Sequence, residues 1–375
     1  MAWTGYQFFL AGLLVFTGSI NTLATKWADR GVAPGRPDGV MRNGTSTLTP
    51  HTFQHAFLQA LGMFIGEFTC LVVFKLLLWR YVGWNGREDE DQDTIPSVLR
   101  GSRTFNPLIF LPPTLCDMIG TTTMYVGLTL TFASSAQMFR GAVILFTGLF
   151  SMIFLKRQVR LFQWIGILFV LVGLAIVGAA DIVYGGNTSG APNVFLGDVL
   201  IVCAQVVTAT QMVLEEKFVV GSNVPPLQAV GWEGLFGILC MGMLLIPLNF
   251  IHYHGAPIED SIDGLYQMYN SPQIAGGFFG TVLSISFFNF AGVSITKEIS
   301  ATTRMVLDSV RIIVIWSFTV LFKWQSFIPL TLAGFFVLVL GMKIYNRIIK
   351  IPCLPGYEST ESAEIQERRL IEDED

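Results

Sequence analysis

Charge is what this chain of 375 residues has least of: Asp, Glu, Lys and Arg together make up 13%, about half the share carried by a soluble domain. A water-facing surface around the whole chain is therefore excluded. Cysteine is sparse as well. Cys70, Cys116, Cys203, Cys240 and Cys353 lack the spacing of a redox or metal motif, and the first four stand within apolar runs, where buried thiols are expected. No basic stripe occurs and the formal net charge is −4, so nucleic acid is not an expected partner. A Walker loop, a His-Glu-x-x-His string and a Gly-x-Ser-x-Gly elbow are all missing. Enzyme chemistry is thus not expected, nor a metal or cofactor, and any transport has to be secondary or facilitated. No basic stretch precedes the apolar run that begins near Tyr6, so that run is expected to be a span that also serves as targeting signal.

What the chain does have is long apolar runs. Hydrophobic residues make up 52% and mean hydropathy is +0.57. Ten segments reach the roughly 20 residues that a bilayer crossing needs: 6–24, 53–79, 108–131, 134–155, 162–183, 195–218, 226–251, 274–296, 302–322 and 326–348. The expected fold class is an all-α polytopic membrane protein with ten transmembrane helices, its first partner the lipid bilayer. Polar linkers fall at 25–52, at 80–106 with the acidic run Glu88-Asp-Glu-Asp-Gln-Asp93, at 185–194 and at 252–273. His252 and His254 in the last of these read as ordinary loop residues. The tail 351–375 is acidic and poor in apolar residues, which predicts disorder on the cytosolic side.

Lys and Arg set the orientation. With the N-terminus in the cytosol, Arg80, Arg87, Arg100, Arg103, Lys156, Arg157, Arg160, Lys217, Lys297, Lys343, Arg347 and Lys350 all fall on the cytosolic side. The 185–194 and 252–273 linkers hold none, and the bias favours both termini in the cytosol. The first hairpin dissents, with Lys26, Arg30, Arg36 and Arg42. The two glycosylation sequons, at Asn43 and Asn187, agree with the majority, since both fall on the non-cytosolic side.

The chain also repeats itself. Ser135-Ala-Gln-Met138 lines up with Thr302-Thr-Arg-Met305, Gly166-Ile-Leu-Phe-Val-Leu-Val-Gly173 with Gly334-Phe-Phe-Val-Leu-Val-Leu-Gly341, and Gly127-Leu-Thr-Leu-Thr131 with Gly292-Val-Ser-Ile-Thr296. Spans three to five thus recur as spans eight to ten. Five spans per half is an odd number, so the second half enters from the opposite face. The expectation is two inverted five-helix repeats, 1–183 and 195–350, joined by a linker at 184–194, with a site at the midplane between them.

Span nine carries Arg304, Asp308 and Arg311 on one helical face. A charge at the bilayer centre costs from about 2.5 to more than 10 kcal/mol, so this face is expected to look into protein or a water-filled cavity. An internal Arg304–Asp308 pair is sensible at i, i+4. Arg304 is near enough to an end to reach the interface, while Arg311 sits deeper and suits an anionic group. Span four offers a partner face in Gln137, Arg140, Gly141, Thr147, Gly148 and Ser151, for whose glycines close helix packing is the plainer reading. Glu67, Asp117 and Glu233 are candidates for carrying a coupling proton or for balancing the arginines; Asp117 follows Pro112-Pro113, expected to bend span three. Glu215-Glu-Lys217 reads as an interfacial charge cluster at a span end.

Several strings carry a resemblance. They include Gly18-Ser-Ile-Asn-Thr22, Phe110-Leu-Pro-Pro113 with Cys116-Asp117-Met118, Arg140-Gly-Ala-Val143, Gln211-Met-Val-Leu-Glu-Glu-Lys-Phe218, Phe288-Asn-Phe-Ala-Gly292 and Ser300-Ala-Thr-Thr-Arg-Met-Val-Leu-Asp-Ser309. Over roughly residues 5 to 350 the chain resembles the F-type branch of solute carrier family 35, within the drug/metabolite transporter superfamily. The resemblance implies a secondary solute transporter working by alternating access. Its substrate would be a small anionic organic solute, as for the family's nucleotide-sugar exchangers. The alternative is a membrane adaptor that keeps the fold and acts through protein partners; a homodimer stays open. The resemblance also implies a lysosomal membrane, with the mitochondrion as the competing location. The tail string Glu364-Ile-Gln-Glu-Arg-Arg-Leu-Ile371 is similar to an acidic dileucine signal, except that Gln366 stands where an acid belongs.

Overall fold

The computed structural model describes residues 4–37, 41–42, 45–46, 48–82, 99–102, 105–131, 139–155, 161–185, 194–253, 256–299, 301–322 and 329–345. Asn43, Asn187, Gln137, the acidic run 88–93 and the tail with its dileucine-like string lie outside the described residues.

Helices dominate. In chain order they are α1 (Gly5–Asp29), α2 (Ala56–Val82), α3 (Leu111–Leu130), α4 (Val143–Leu155), α5 (Leu161–Gly185), α6 (Val194–Gly221), α7 (Pro226–Phe250), α8 (Ser261–Asn270), α9 (Pro272–Glu298), α10 (Ala301–Leu321) and α11 (Pro329–Tyr345). Each of the ten apolar segments holds one of them, and α8 is an extra short helix in the 252–273 linker. Among the described residues six helices, α1, α2, α5, α6, α7 and α9, are long and apolar enough to cross a membrane.

Local chemistry sets the starts. Thr4 caps α1 by accepting from the Gln7 N–H at 3.3 Å, and the Thr4 N–H donates in return to Gln7 Oε1 at 3.1 Å. Pro226 and Pro272 open α7 and α9, where a missing N–H costs nothing. The expected bend at Pro112-Pro113 is corrected in the same way: both prolines sit in the first turn of α3, after a 3₁₀ turn at Pro107–Phe110, so they start the helix.

The helices associate as intimate pairs, α1 with α9, α2 with α7, α3 with α6 and α5 with α11. Lipid is as apolar as leucine, so close backbone approach and interhelical hydrogen bonds hold such pairs together. The repeat glycines supply the approach. A Cβ on Gly166 would lie 2.8 Å from the Gly341 carbonyl oxygen, and one on Gly173 2.8 Å from that of Gly334. Asn21 of α1 donates to the Thr281 carbonyl of α9 at 3.2 Å, and Ser286 of α9 to the Gly66 carbonyl of α2 at 2.6 Å.

Short strands finish the loops: β1 (Val32–Ala33) pairs with β4 (His51–Thr52), β2 (Met41–Arg42) with β3 (Thr45–Ser46), and β5 (His252–Tyr253) with β6 (Ala256–Pro257), all antiparallel. The first loop then locks onto α8. Asp263, fully buried, accepts from the Arg36 backbone N–H at 2.8 Å and lies 2.8 Å from His51 Nε2 and 3.4 Å from His55 Nε2. Arg36 also reaches Asp260 at 3.5 Å. One of the basic residues that ran against the charge bias is therefore already paired with an acid.

Candidate functional site

Six helices bring polar groups to one buried place. Arg304 of α10 is 4% exposed, and its Nη1 donates to Glu215 Oε2 of α6 at 2.6 Å. The second Glu215 oxygen accepts from Gln211 Nε2 at 2.9 Å. Gly292 of α9 leaves room for the guanidinium, since a Cβ there would stand 2.7 Å from Arg304 Nε. Two sequence expectations are corrected. Arg304 is enclosed by protein and does not reach the interface. Glu215, read as an interfacial charge, is 1% exposed, because α6 continues to Gly221 and carries Glu215 inside the bundle.

Three more carboxylates face this pair. Glu67 of α2 accepts from Asn289 Nδ2 of α9 at 2.5 Å. Asp117 of α3 accepts from the Thr121 hydroxyl at 3.3 Å. Glu233 of α7 sits where α2 and α7 touch, with a Cβ on neighbouring Gly234 falling 2.8 Å from Glu67 Cβ. Glu67, Asp117 and Glu233 all lie within electrostatic range of Arg304 and of Glu215. Glu233 is 7% exposed and its Oε1 has no hydrogen-bond partner among the described residues. One guanidinium thus stands among four carboxylates and pairs with one of them.

The other span-nine charges form a second group. Asp308 pairs with Arg311 at 3.3 Å (i, i+3), in place of the expected Arg304 partner. Arg311 Nη1 also reaches the Gly18 carbonyl of α1 at 3.5 Å, and its guanidinium lies 4.7 Å from the centre of the Phe288 ring. That placement fits a cation–π contact. Arg140, half-buried in the 3₁₀ turn before α4, is within electrostatic range of Lys26 near the end of α1. Gly148 of α4 packs against the Tyr345 ring of α11, as close packing expects. Thr147 and Ser151 are buried, and their hydroxyls have no partner among the described residues.

Glu215 is the residue that sequence reasoning missed. A signal was available: two arginines against one aspartate on span nine require another acid, and Glu215 stands in a helix long enough to supply it. A groove of about 560 Å³ between α2, α7, α8 and α9 is a different feature. Its lining, from Leu58 and Ile65 to Leu245 and Phe278, holds no charged side chain, so it is not the site of this chemistry.

The family model for the F-type branch of solute carrier family 35 matches residues 114–347. The chain belongs to solute carrier family 35. "Solute carrier family 35 member F6" from Homo sapiens is 49% identical over 355 residues, covering 93% of this chain and 91% of that protein. The protein of the same name from Mus musculus is 49% identical, with 93% and 90% covered. An uncharacterized protein of Schizosaccharomyces pombe is 32% identical over 346 residues, with 91% and 97% covered. Membership of this solute carrier family makes the chain a membrane protein of the transporter class. A solved protein crystal structure superimposes with a TM-score of 0.54 at 14% identity, covering 92% of this chain and 98% of that one. That likeness concerns the fold alone.

Proposed function

We propose that this protein is a secondary solute transporter of an internal membrane, moving a small organic solute by alternating access around the Arg304–Glu215 site. One observation carries the reading: a buried ion pair and three further carboxylates converge from helices of both sequence halves, α2 and α3 from the first, α6, α7 and α10 from the second. Intramembrane ionisable groups are costly and mark substrate or ion pathways.

The helix pairing supports the inverted repeat. Leaving α8 aside and numbering the ten remaining helices in order, the close pairs are one with eight, two with seven, three with six and five with ten. Exchanging each helix with its counterpart five places on returns the same four pairs. The aligned glycines obey the same exchange, because Gly166 meets Gly341 and Gly173 meets Gly334. A twofold axis in the membrane plane would produce this pattern, with the site between the halves.

For the solute itself, the arginine count supports a nucleotide-sugar-like anion. The partners of both guanidinia weigh against it, since an anion would have to displace Glu215 or Asp308. Location in a lysosomal membrane, with the mitochondrion as alternative, and cytosolic termini rest on the family resemblance, the charge bias and the sequons. Asn43→Gln and Asn187→Gln should each speed gel migration if those loops are lumenal.

The test is uptake into proteoliposomes of nucleotide sugars, nucleotides, carboxylates, amino acids and amines, by wild type and Arg304→Lys. Uptake of one class that the variant loses supports the transporter. Folded protein that moves none of them returns the weight to the adaptor.

A further inference from the structure

The charge balance of the site goes further than the transporter reading, on which it rests. Glu215 takes up the charge of Arg304, and both of its oxygens are engaged. Glu67, Asp117 and Glu233 are left without an ion-pair partner among the described residues. Leaving a carboxylate buried and uncompensated costs several kcal/mol, even after the protein relaxes. Glu67 and Glu233, both buried, therefore each need a proton or a cation, and half-buried Asp117 stands within electrostatic range of Glu67 and Glu233. Glu233 marks the place, because its Oε1 is buried without a hydrogen-bond partner among the described residues and the side chain lies within electrostatic range of Glu67, Asp117 and Glu215.

We infer that Glu67, Asp117 and Glu233, with Glu215 in electrostatic range, form a binding site for the cationic group of an organic solute, an ammonium or guanidinium, taken up in exchange for protons held on the same carboxylates. Each positive charge bound releases one carboxyl proton to the water on that side, so the net charge of the site is unchanged. An inorganic ion fits less well. Among the described residues no three His, Cys, Asp or Glu side chains stand close enough together to hold a metal. Spaced carboxylates from three helices suit instead a cation whose charge is spread over a larger body. An anion would face three carboxylates beside a guanidinium already paired at 2.6 Å.

The groups that set the proton balance are few. Facing the cluster are Cys70 from α2, Cys116 from α3, and Arg304 with Asp308 from α10; α9 contributes the neutral Asn289. Of these only Arg304 is a cation, and Glu215 holds it.

Two matched probes test the site on the purified full chain in detergent: benzyltrimethylammonium, whose charge is fixed, and phenylacetate, its anionic counterpart. The ammonium should raise the melting temperature at pH 8 and need at least about tenfold more probe for the same rise at pH 6, a difference equivalent to about 1.4 kcal/mol. In weakly buffered solution its binding should acidify the medium. Glu233→Gln and Asp117→Asn, each first checked for a cooperative melt, should lose both responses, and phenylacetate should produce neither. Stabilisation by phenylacetate alone, an ammonium response unchanged in both variants, or no ammonium response from folded wild type overturns the cation site. The transporter reading fails separately: ammonium binding in detergent without flux of any solute in proteoliposomes keeps the site and removes transport. Flux of an anion that is insensitive to Glu233→Gln does the reverse.

Discussion

His55 Nδ1 lies 2.7 Å from Glu259 Oε1, and both side chains are buried, at 0% and 1% exposure. His55 precedes the first residue of α2, while Glu259 stands in the loop before α8. The contact therefore closes the first loop over the second half of the chain. The other Glu259 oxygen accepts from the Phe57 N–H at 3.1 Å. His55→Ala leaves Glu259 buried beside a single backbone donor. A loss of about 3–5 kcal/mol is expected, as for a buried pair stripped of one partner, and thermal unfolding in detergent measures it. A melting temperature unchanged by the substitution would remove the contact from the account of stability.

Asp263, one turn further along, gives a pH signature. Burial by itself would raise its carboxyl, but hydrogen bonds from His55, the Arg36 backbone and His51, with the His55 charge, outweigh burial and bring it from 3.8 down to about 2. A carboxyl held below its unfolded value stabilises the fold above the unfolded value, and that contribution fades as pH falls through the folded one. Wild type should thus melt above Asp263→Asn from pH 7 to pH 5. The margin should narrow below about pH 4, towards about 2. Melting curves of both proteins across that range check it, and a margin that widens on acidification would reverse the sign assigned here.

Arg304 and Glu215 should behave as a unit. Arg304→Met and Glu215→Leu each strand a buried charge and should cost about 3–5 kcal/mol, whereas the double variant strands neither and should recover much of the loss. Three unfolding measurements beside wild type complete the cycle. Strictly additive effects would mean that the 2.6 Å contact contributes no coupling.

The glycine contacts make a steric prediction. At Gly166 a side chain meets the backbone of α11, so Gly166→Leu should destabilise by about 1–3 kcal/mol or more by overpacking. Gly12, exposed on α1, has nothing within 4 Å of an added Cβ. Gly12→Ala should leave stability unchanged or raise it by up to about 1 kcal/mol through helix propensity. The paired melts decide whether close backbone approach, and not glycine as such, is what α5 and α11 require.

Residue order by itself determined the solvent and the segments. Too little charge and ten apolar runs of spanning length leave a bilayer as the surroundings, and every one of those runs holds a helix. It also singled out Arg304, Asp308, Arg311, Glu67, Asp117 and Glu233, since an ionisable group in an apolar run is conspicuous whatever surrounds it. Tertiary structure alone decided which charge meets which. Helical periodicity puts Arg304 and Asp308 on one face, but it carries no information about the helix that crosses there, and the acid that binds Arg304 stands 89 residues away in the chain. The same holds for Arg311, whose contacts with Gly18 and Phe288 come from α1 and α9. Span boundaries follow from transfer energy, which each segment carries within itself. Partners follow from helix crossing, which depends on glycines and hydrogen bonds supplied by other helices.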